Sequence, residues 1–294
     1  MNKNIGLGLM RISEMEQKDV NELILTALDN GVNFFDHADI YGNRKSEEKF
    51  GLFLKDHKNL RSKMIIQTKC GICKGYYDLS YEHIVSHALE SIRLLNCDYI
   101  DILLLHRPDA LVDYNEVNRA FNYLYDNGYV KEFGISNVGP MQIEAYNKFL
   151  DHKIKYNQVQ LSIVHSHLIS EGLFYNMNDA ESTFRCGHLL EYALINDIKI
   201  QAWSPIMASW EDGSFIDNPK YSELNLYLEE LANKYNVYKN TIAVAWILRH
   251  PLNIMPICGT TNKDRLLQMV KARDIILTKE EWYKLYLLAG HKLP

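Results

Sequence analysis

The chain has 294 residues, 47% of them hydrophobic, with 32 basic against 37 acidic side chains and a formal net charge of −5. That balance, without any Lys/Arg run, argues against nucleic acid as a partner. No apolar run approaches the roughly 20 residues of a membrane-spanning helix, and the apolar stretch in the opening MNKNIGLGLM is too short for a signal peptide, so a cytosolic protein with no membrane partner is expected.

In chain order, strand-like and helix-like segments alternate. Ile5–Leu9 reads as a strand. Gln17–Asn30 reads as a helix, with Val20, Leu23, Ile24, Ala27 and Leu28 at helical spacing. Strand Val32–Asp36, helix Glu47–Lys55, strand Met64–Lys69 and helix Tyr81–Leu95 follow. Strand Tyr99–His106 is nearly all apolar, as a strand covered on both faces should be. Then come helix Glu116–Asn127, with Gly128 as its stop, strand Val130–Ser136, helix Gln142–Leu150 and strand Lys155–Leu161. A long connection, Ser162–Arg185, precedes helix Leu189–Asn196 and strand Lys199–Trp203. A second long loop, Ile206–Tyr221, precedes helices Leu224–Tyr235 and Thr241–Arg249. Strand Asn253–Cys258 and helices Lys263–Lys271 and Glu280–Leu288 complete the chain.

Eight strand–helix units with no antiparallel run and no linker predict one α/β domain over residues 1–294, a (β/α)8 barrel of the TIM type. The open dinucleotide-binding sheet is the competitor, but Gly6-Leu7-Gly8 lacks the third glycine of its fingerprint. Six strands end on or beside a reactive or polar residue: Asp36, Lys69, His106, Ser136 with Asn137, Gln158, and Trp203. Such barrels place their chemistry at that C-terminal mouth. Both long loops follow strands, so both are candidate covers for it.

Asp36-His37-Ala38-Asp39-Ile40-Tyr41-Gly42 resembles the D-x-A-x-x-Y-G signature of the aldo-keto reductases, with Lys69 and with His106 in Leu-Leu-His-Arg-Pro-Asp completing that family's tetrad. Gly134-Ile135-Ser136-Asn137, Asn157-Gln158-Val159 and Ala202-Trp203-Ser204-Pro205 resemble three further motifs, and the likeness runs over essentially the whole chain. The His-Ala-Asp-Ile-Tyr-Gly run and the Cys-Gly after Lys69 resemble a bacterial branch of uncharacterised oxidoreductases within it. The resemblance implies reduction of an aldehyde or ketone, a small-molecule carbonyl substrate, by NADP(H), with NAD(H) as the alternative.

The tetrad also makes chemical sense by itself. Carbonyl reduction adds hydride to carbon and a proton to oxygen, and a cofactor supplies the hydride. A free tyrosine has a pKa near 10, and a neighbouring ammonium depresses it. Tyr41 is therefore the expected general acid, Lys69 its tuning charge, Asp36 the partner holding Lys69, and His106 a hydrogen-bond donor to the carbonyl oxygen. Each of these taken singly is more often a loop cap, a packing residue or a rim histidine; the combination is what carries the reading.

The cofactor residues follow from the resemblance. Ser136, Asn137 and Gln158 match positions that hold the nicotinamide carboxamide, and Trp203 stands where an aromatic stacks on its ring. Ser204, Pro205 and Ile206 follow, where the pyrophosphate lies. Gly8, Leu9 and Met10 are expected against the cofactor. Gly259, Thr260, Thr261, Asn262, Arg265 and Gln268 match the adenosine-phosphate region, where Gly259 replaces a frequent lysine and Met269 a frequent asparagine.

Other signals are weaker. The odd count of five cysteines suits a reducing compartment, and Cys70-x-x-Cys73 lacks a second pair. His165 and His167 lack a spaced third metal ligand, so no metal is expected. Tyr76, Tyr77, Trp210 and Phe215 are candidates for an apolar substrate wall. Two rivals remain: a nucleotide-binding regulatory subunit of another protein, such as a channel, with little turnover, and a Schiff-base enzyme using Lys69, which the Asp36 partner argues against. The oligomeric state stays open.

Overall fold

The computed structural model describes residues 3–183 and 185–294. Phe184, inside the expected Ser162–Arg185 connection, and residues 1 and 2 of the expected single domain lie outside the described residues. The strands of the closed sheet are β1 (Gly6–Gly8), β2 (Phe34–Asp36), β3 (Ile65–Cys70), β4 (Ile100–Leu105), β5 (Val130–Ser136), β6 (Ile154–Gln160), β7 (Lys199–Trp203) and, after a small hairpin of β8 (Met207–Ser209) and β9 (Gly213–Ser214), β10 (Met255–Cys258). Their order is β1-β10-β7-β6-β5-β4-β3-β2, a closed barrel of eight strands with helices between them. This is the (β/α)8 architecture expected from the sequence.

The chain packs as two compact units. One comprises Gly6–Gln158 with Gly259–Lys263; the other comprises Met1–Ile5, Val159–Cys258 and Asp264–Pro294. In the first, the helices are α1 (Gln17–Asp29), α2 (Lys45–Asp56), α3 (Tyr81–Leu94), α4 (Tyr114–Asp126) and α5 (Pro140–Phe149). Parallel register sets Gly8 beside Asp36, Asp36 beside Gln67, and Lys69 beside Leu104. β4 is Ile-Asp-Ile-Leu-Leu-Leu, buried at all but Asp101. Helices start where a side chain can accept from the first free N–H groups. Ser80 Oγ accepts from His83 N at α3, and Asp113 accepts from Asn115 N, so α4 begins at Tyr114, two residues ahead of the expected start.

In the second unit, the Ser162–Arg185 connection carries α6 (His167–Leu173), and α7 (Leu189–Ile195) follows it. The buried Glu171 carboxylate accepts from the backbone N–H groups of Arg185, Cys186, Gly187 and His188, which ties that connection down. The Ile206–Tyr221 segment is not a plain loop: β8 and β9 pair antiparallel, contrary to the expected absence of antiparallel strands. A three-residue strand paired with a two-residue one carries too little periodicity to be read inside a loop. α8 (Ser222–Tyr235), α9 (Lys239–Leu248), α10 (Lys263–Val270) and α11 (Lys279–Leu288) complete the helices, and α9 is buried along almost its whole length.

α2 crosses α3 at Gly51. A Cβ there would stand 1.9 Å from the Leu94 carbonyl oxygen, a backbone atom that cannot swing aside. Gly51→Ala is expected to destabilise the fold by about 1–3 kcal/mol, the usual cost of overpacking, read as a lower urea midpoint at unchanged slope.

Candidate active site

Asp36, the last residue of β2, and Lys69, near the end of β3, form a buried ion pair. The Lys69 ammonium is fully buried and donates to both Asp36 carboxylate oxygens at 2.7 Å, to the His37 carbonyl at 2.8 Å and to Tyr41 Oη at 3.2 Å. Asp36 Oδ1 also accepts from Gln67 Nε2 at 2.6 Å and Gln158 Nε2 at 3.0 Å. The four tetrad positions named from sequence therefore lie in one unit, three of them joined directly. His106, immediately after β4, sets its ring edge-on to Tyr41 with centroids 6.1 Å apart.

The turn that delivers Tyr41 explains its signature. Tyr41 N donates to Ala38 O at 3.0 Å, and Gly42, Asn43 and Arg44 all take left-handed φ values. At Gly42 (φ +57°) a Cβ would also meet Ser13 Cβ at 2.3 Å, so only glycine fits.

Burial alone would lower the Lys69 ammonium, but the Asp36 carboxylate and the Tyr41 hydroxyl together, by charge and hydrogen bond, hold the group above the usual lysine range. For Tyr41 the expected depression is not the net result. Burial of its hydroxyl pushes the phenol up; Lys69 pulls it down by charge and hydrogen bond, and Asp36 adds to the rise. Burial, with the Lys69 and Arg107 charges, holds His106 well below the usual histidine range. Its Nδ1 is buried without a partner.

Each unit, taken by itself, holds some of the positions expected from sequence to meet the cofactor. In the first, Ser136 Oγ and Asn137 N both donate to Gln158 O, at 2.8 and 3.0 Å, and Asn137 Nδ2 donates to Ser136 Oγ at 2.8 Å. Leu9 N donates to Asp36 O at 2.9 Å, with Gly8 before it and the half-buried Met10 after it. Thr260 is buried and its Oγ accepts from Asn262 N at 3.1 Å, while Gly259 and Thr261 are exposed. In the second unit, Trp203 ends β7 with its ring 6.2 Å from that of Trp210. Ser204 takes a left-handed φ of +53° and bonds Met207, Pro205 is buried, and Ile206 O accepts from Phe215 N. Arg265 is exposed on α10, whereas Gln268 is engaged structurally, its side-chain oxygen accepting from Asn240 at 2.8 Å.

Sequence reasoning missed Gln67 and Glu47. Gln67 lies two residues before Lys69 and so shares its strand face; that spacing in Ile-Ile-Gln-Thr-Lys-Cys was the available signal. Thr68 points the other way and donates to the buried Glu47 at 2.7 Å. Phe215, expected in a substrate wall, is fully buried, whereas Tyr76, Tyr77 and Trp210 are exposed. All five cysteines are free, and among the described residues no helix is long and apolar enough to cross a membrane.

The family model described as "Aldo/keto reductase family" matches residues 4–286. The chain belongs to the aldo/keto reductase family. This aldo/keto reductase is 32% identical to Oxidoreductase YdhF of Escherichia coli (strain K12), over 98% of this chain and 94% of that one. It is 30% identical to the 6-dehydroglucose reductase of Agrobacterium fabrum (strain C58), over 97% and 93% of the two chains. Its fold is similar to that of an aldo/keto reductase from Klebsiella pneumoniae in complex with NADP and acetate, with a TM-score of 0.76 and 20% identity over 98% of this chain and 92% of that one.

His37 gives this aldo/keto reductase an acid-sensitive core. Burial and the Lys69 charge lower its imidazole to about 3. It is therefore neutral in the folded chain but takes a proton in the unfolded one as pH falls below the usual histidine value. Stability is lost from there down toward pH 3, and the loss between about pH 7 and pH 5 from this group is roughly 2 kcal/mol. His37→Leu is expected to flatten the pH dependence by that amount in urea titrations at the two pH values; an unchanged pH dependence would refute it.

Proposed function

We propose that the chain reduces an aldehyde or ketone to an alcohol with NADP(H), Tyr41 serving as the general acid. The observation that carries this is the Lys69 ammonium, locked to Asp36 and 3.2 Å from Tyr41 Oη. An ammonium has no acceptor, so the phenol oxygen accepts from Lys69 and its own O–H stays available to a carbonyl oxygen. The raised phenol is fully protonated at neutral pH, as an acid must be before it acts. Once the proton has gone, the phenolate faces a charge already in position. His106 is neutral, and with Nδ1 buried, Nε2 is the nitrogen that would donate to the same carbonyl oxygen.

NADPH supplies the hydride when bound. The donor set suits it: Asn137 and Gln158 offer amide donors and acceptors beside the Ser136 hydroxyl, and the space around Gly259 Cα is open where α10 begins. Ser136, Asn137 and Gln158 would hold the carboxamide, and Trp203 would face the ring. Ser204, Pro205 and Ile206 would lie along the pyrophosphate, with Thr260, Asn262 and Arg265 toward the adenosine phosphate. The identity with a 6-dehydroglucose reductase makes a sugar aldehyde a first substrate to assay.

Tyr41→Phe is expected to lower NADPH oxidation, across a panel of aldehydes and ketones that includes 6-dehydroglucose, by about 10²–10⁴-fold, with nucleotide affinity unchanged by fluorescence titration. Full turnover in that variant would end the proposal. Tight nucleotide binding by the unaltered chain without turnover of any carbonyl would favour the regulatory-subunit reading instead.

A further inference from the structure

Behind the turn that carries Tyr41 lies a second polar cluster, which the proposed reaction does not use. Asp39, His83 and His87 bring one carboxylate oxygen and two imidazole nitrogens within 4.8 Å of one another. His83 and His87 stand one helical turn apart on α3, so both reach the same side, and their rings stack at 3.8 Å between centroids. Asp39, in the loop after β2, is 4% exposed. Cys73, in the loop after β3, places its sulfur 3.9 Å from His83 Nδ1.

The hydrogen bonding of this cluster does not close. His87 Nδ1 lies 2.6 Å from Asp39 Oδ2 and 2.8 Å from the Arg44 guanidinium. If Nδ1 carries a proton, it satisfies Asp39 but meets Arg44 donor to donor. If it carries a lone pair, it accepts from Arg44 but meets Asp39 acceptor to acceptor. Asp39 Oδ1 and His83 Nε2 are both buried with no partner. Buried polar atoms left this way are costly. A cation ligated by the Asp39 carboxylate and the two imidazoles would remove the mismatch.

The geometry points to a divalent transition-metal site, of the class that takes Zn2+, formed by Asp39, His83 and His87, with the Asp78 carboxylate and the Cys73 sulfur, 3.7 and 3.9 Å from His83 Nδ1, as the neighbouring donors. Two imidazoles, a carboxylate and a thiol are zinc-type ligands, whereas magnesium and calcium prefer oxygen alone. Ligand bonds of about 2.0–2.3 Å require only small adjustments of side chains already this close. Arg44 is the competing cation: its guanidinium lies 3.9 Å from Asp39 and 2.8 Å from His87 Nδ1. Its side chain also reaches the Glu47 carboxylate at 3.4 Å, a partner that can keep it when an ion takes His87. Asp39 lies between Asp36 and Tyr41 in sequence, so a bound ion would pin the Tyr41 turn to α3.

The test is calorimetric titration of the metal-stripped full chain with Zn2+. One ion per chain is expected, with affinity at least ten-fold weaker in His83→Ala and in His87→Ala. Arg44→Gln should tighten binding, because it removes the competing charge; that variant keeps the test decisive should either alanine variant unfold, which circular dichroism would reveal. Absence of a saturable single site, unchanged affinity in folded His87→Ala, or weaker binding in Arg44→Gln would each overturn the assignment.

Discussion

The buried Lys69–Asp36 pair is the constraint on which the site depends. Taking an ammonium and a carboxylate out of water costs several kcal/mol per ion, and the mutual attraction offsets this only when geometry and further hydrogen bonds are good. Both conditions hold. Each Asp36 oxygen accepts from Lys69, and Gln67 and Gln158 serve the same carboxylate from β3 and β6. The ammonium has three N–H groups for four acceptors, so one is shared as it also reaches the His37 carbonyl and the Tyr41 hydroxyl. A pair this enclosed cannot drift, so the charge beside the phenol has a fixed place and a fixed sign.

That fixed charge works against burial rather than in place of it. The same enclosure that immobilises Lys69 raises the Tyr41 phenol and strips His106 of its proton. The Tyr41 phenol is thereby held protonated and the His106 imidazole neutral near neutrality. Low dielectric also strengthens every charge–dipole contact in the site, the contact of the Lys69 ammonium with the Tyr41 hydroxyl among them.

β3 links this network to the polar cluster on its other side. Alternate residues of a strand face opposite ways: Gln67 and Lys69 reach Asp36, whereas Thr68 reaches Glu47, which in turn meets Arg44 at 3.4 Å. Arg44 lies between Glu47, Asp39 and His87. The loop from Asp36 to Tyr41 is thus held from two sides, by the Lys69 ammonium at one end and by the Asp39 cluster in its middle.

By itself the sequence determined the alternation of strands and helices and the strand ends that bear Asp36, Lys69, His106 and Ser136, because apolar runs and turn residues are local signals. Tyr41 and Gly42 were legible for the same reason, as one short motif whose glycine is required by a left-handed turn. Only the tertiary structure decided which distant residues meet. Gln67 and Gln158 converge on Asp36 across 31 and 122 positions through strand register, and no local period encodes that. The net direction at Tyr41 depended on how deeply its hydroxyl is buried. The meeting of Asp39 with His83 and His87 depended on where α3 packs beside the β2 loop, although the His-x-x-x-His spacing on a helix was open to view. The short β8–β9 hairpin and the burial of Phe215 belong to the same class, since packing rather than composition chose them.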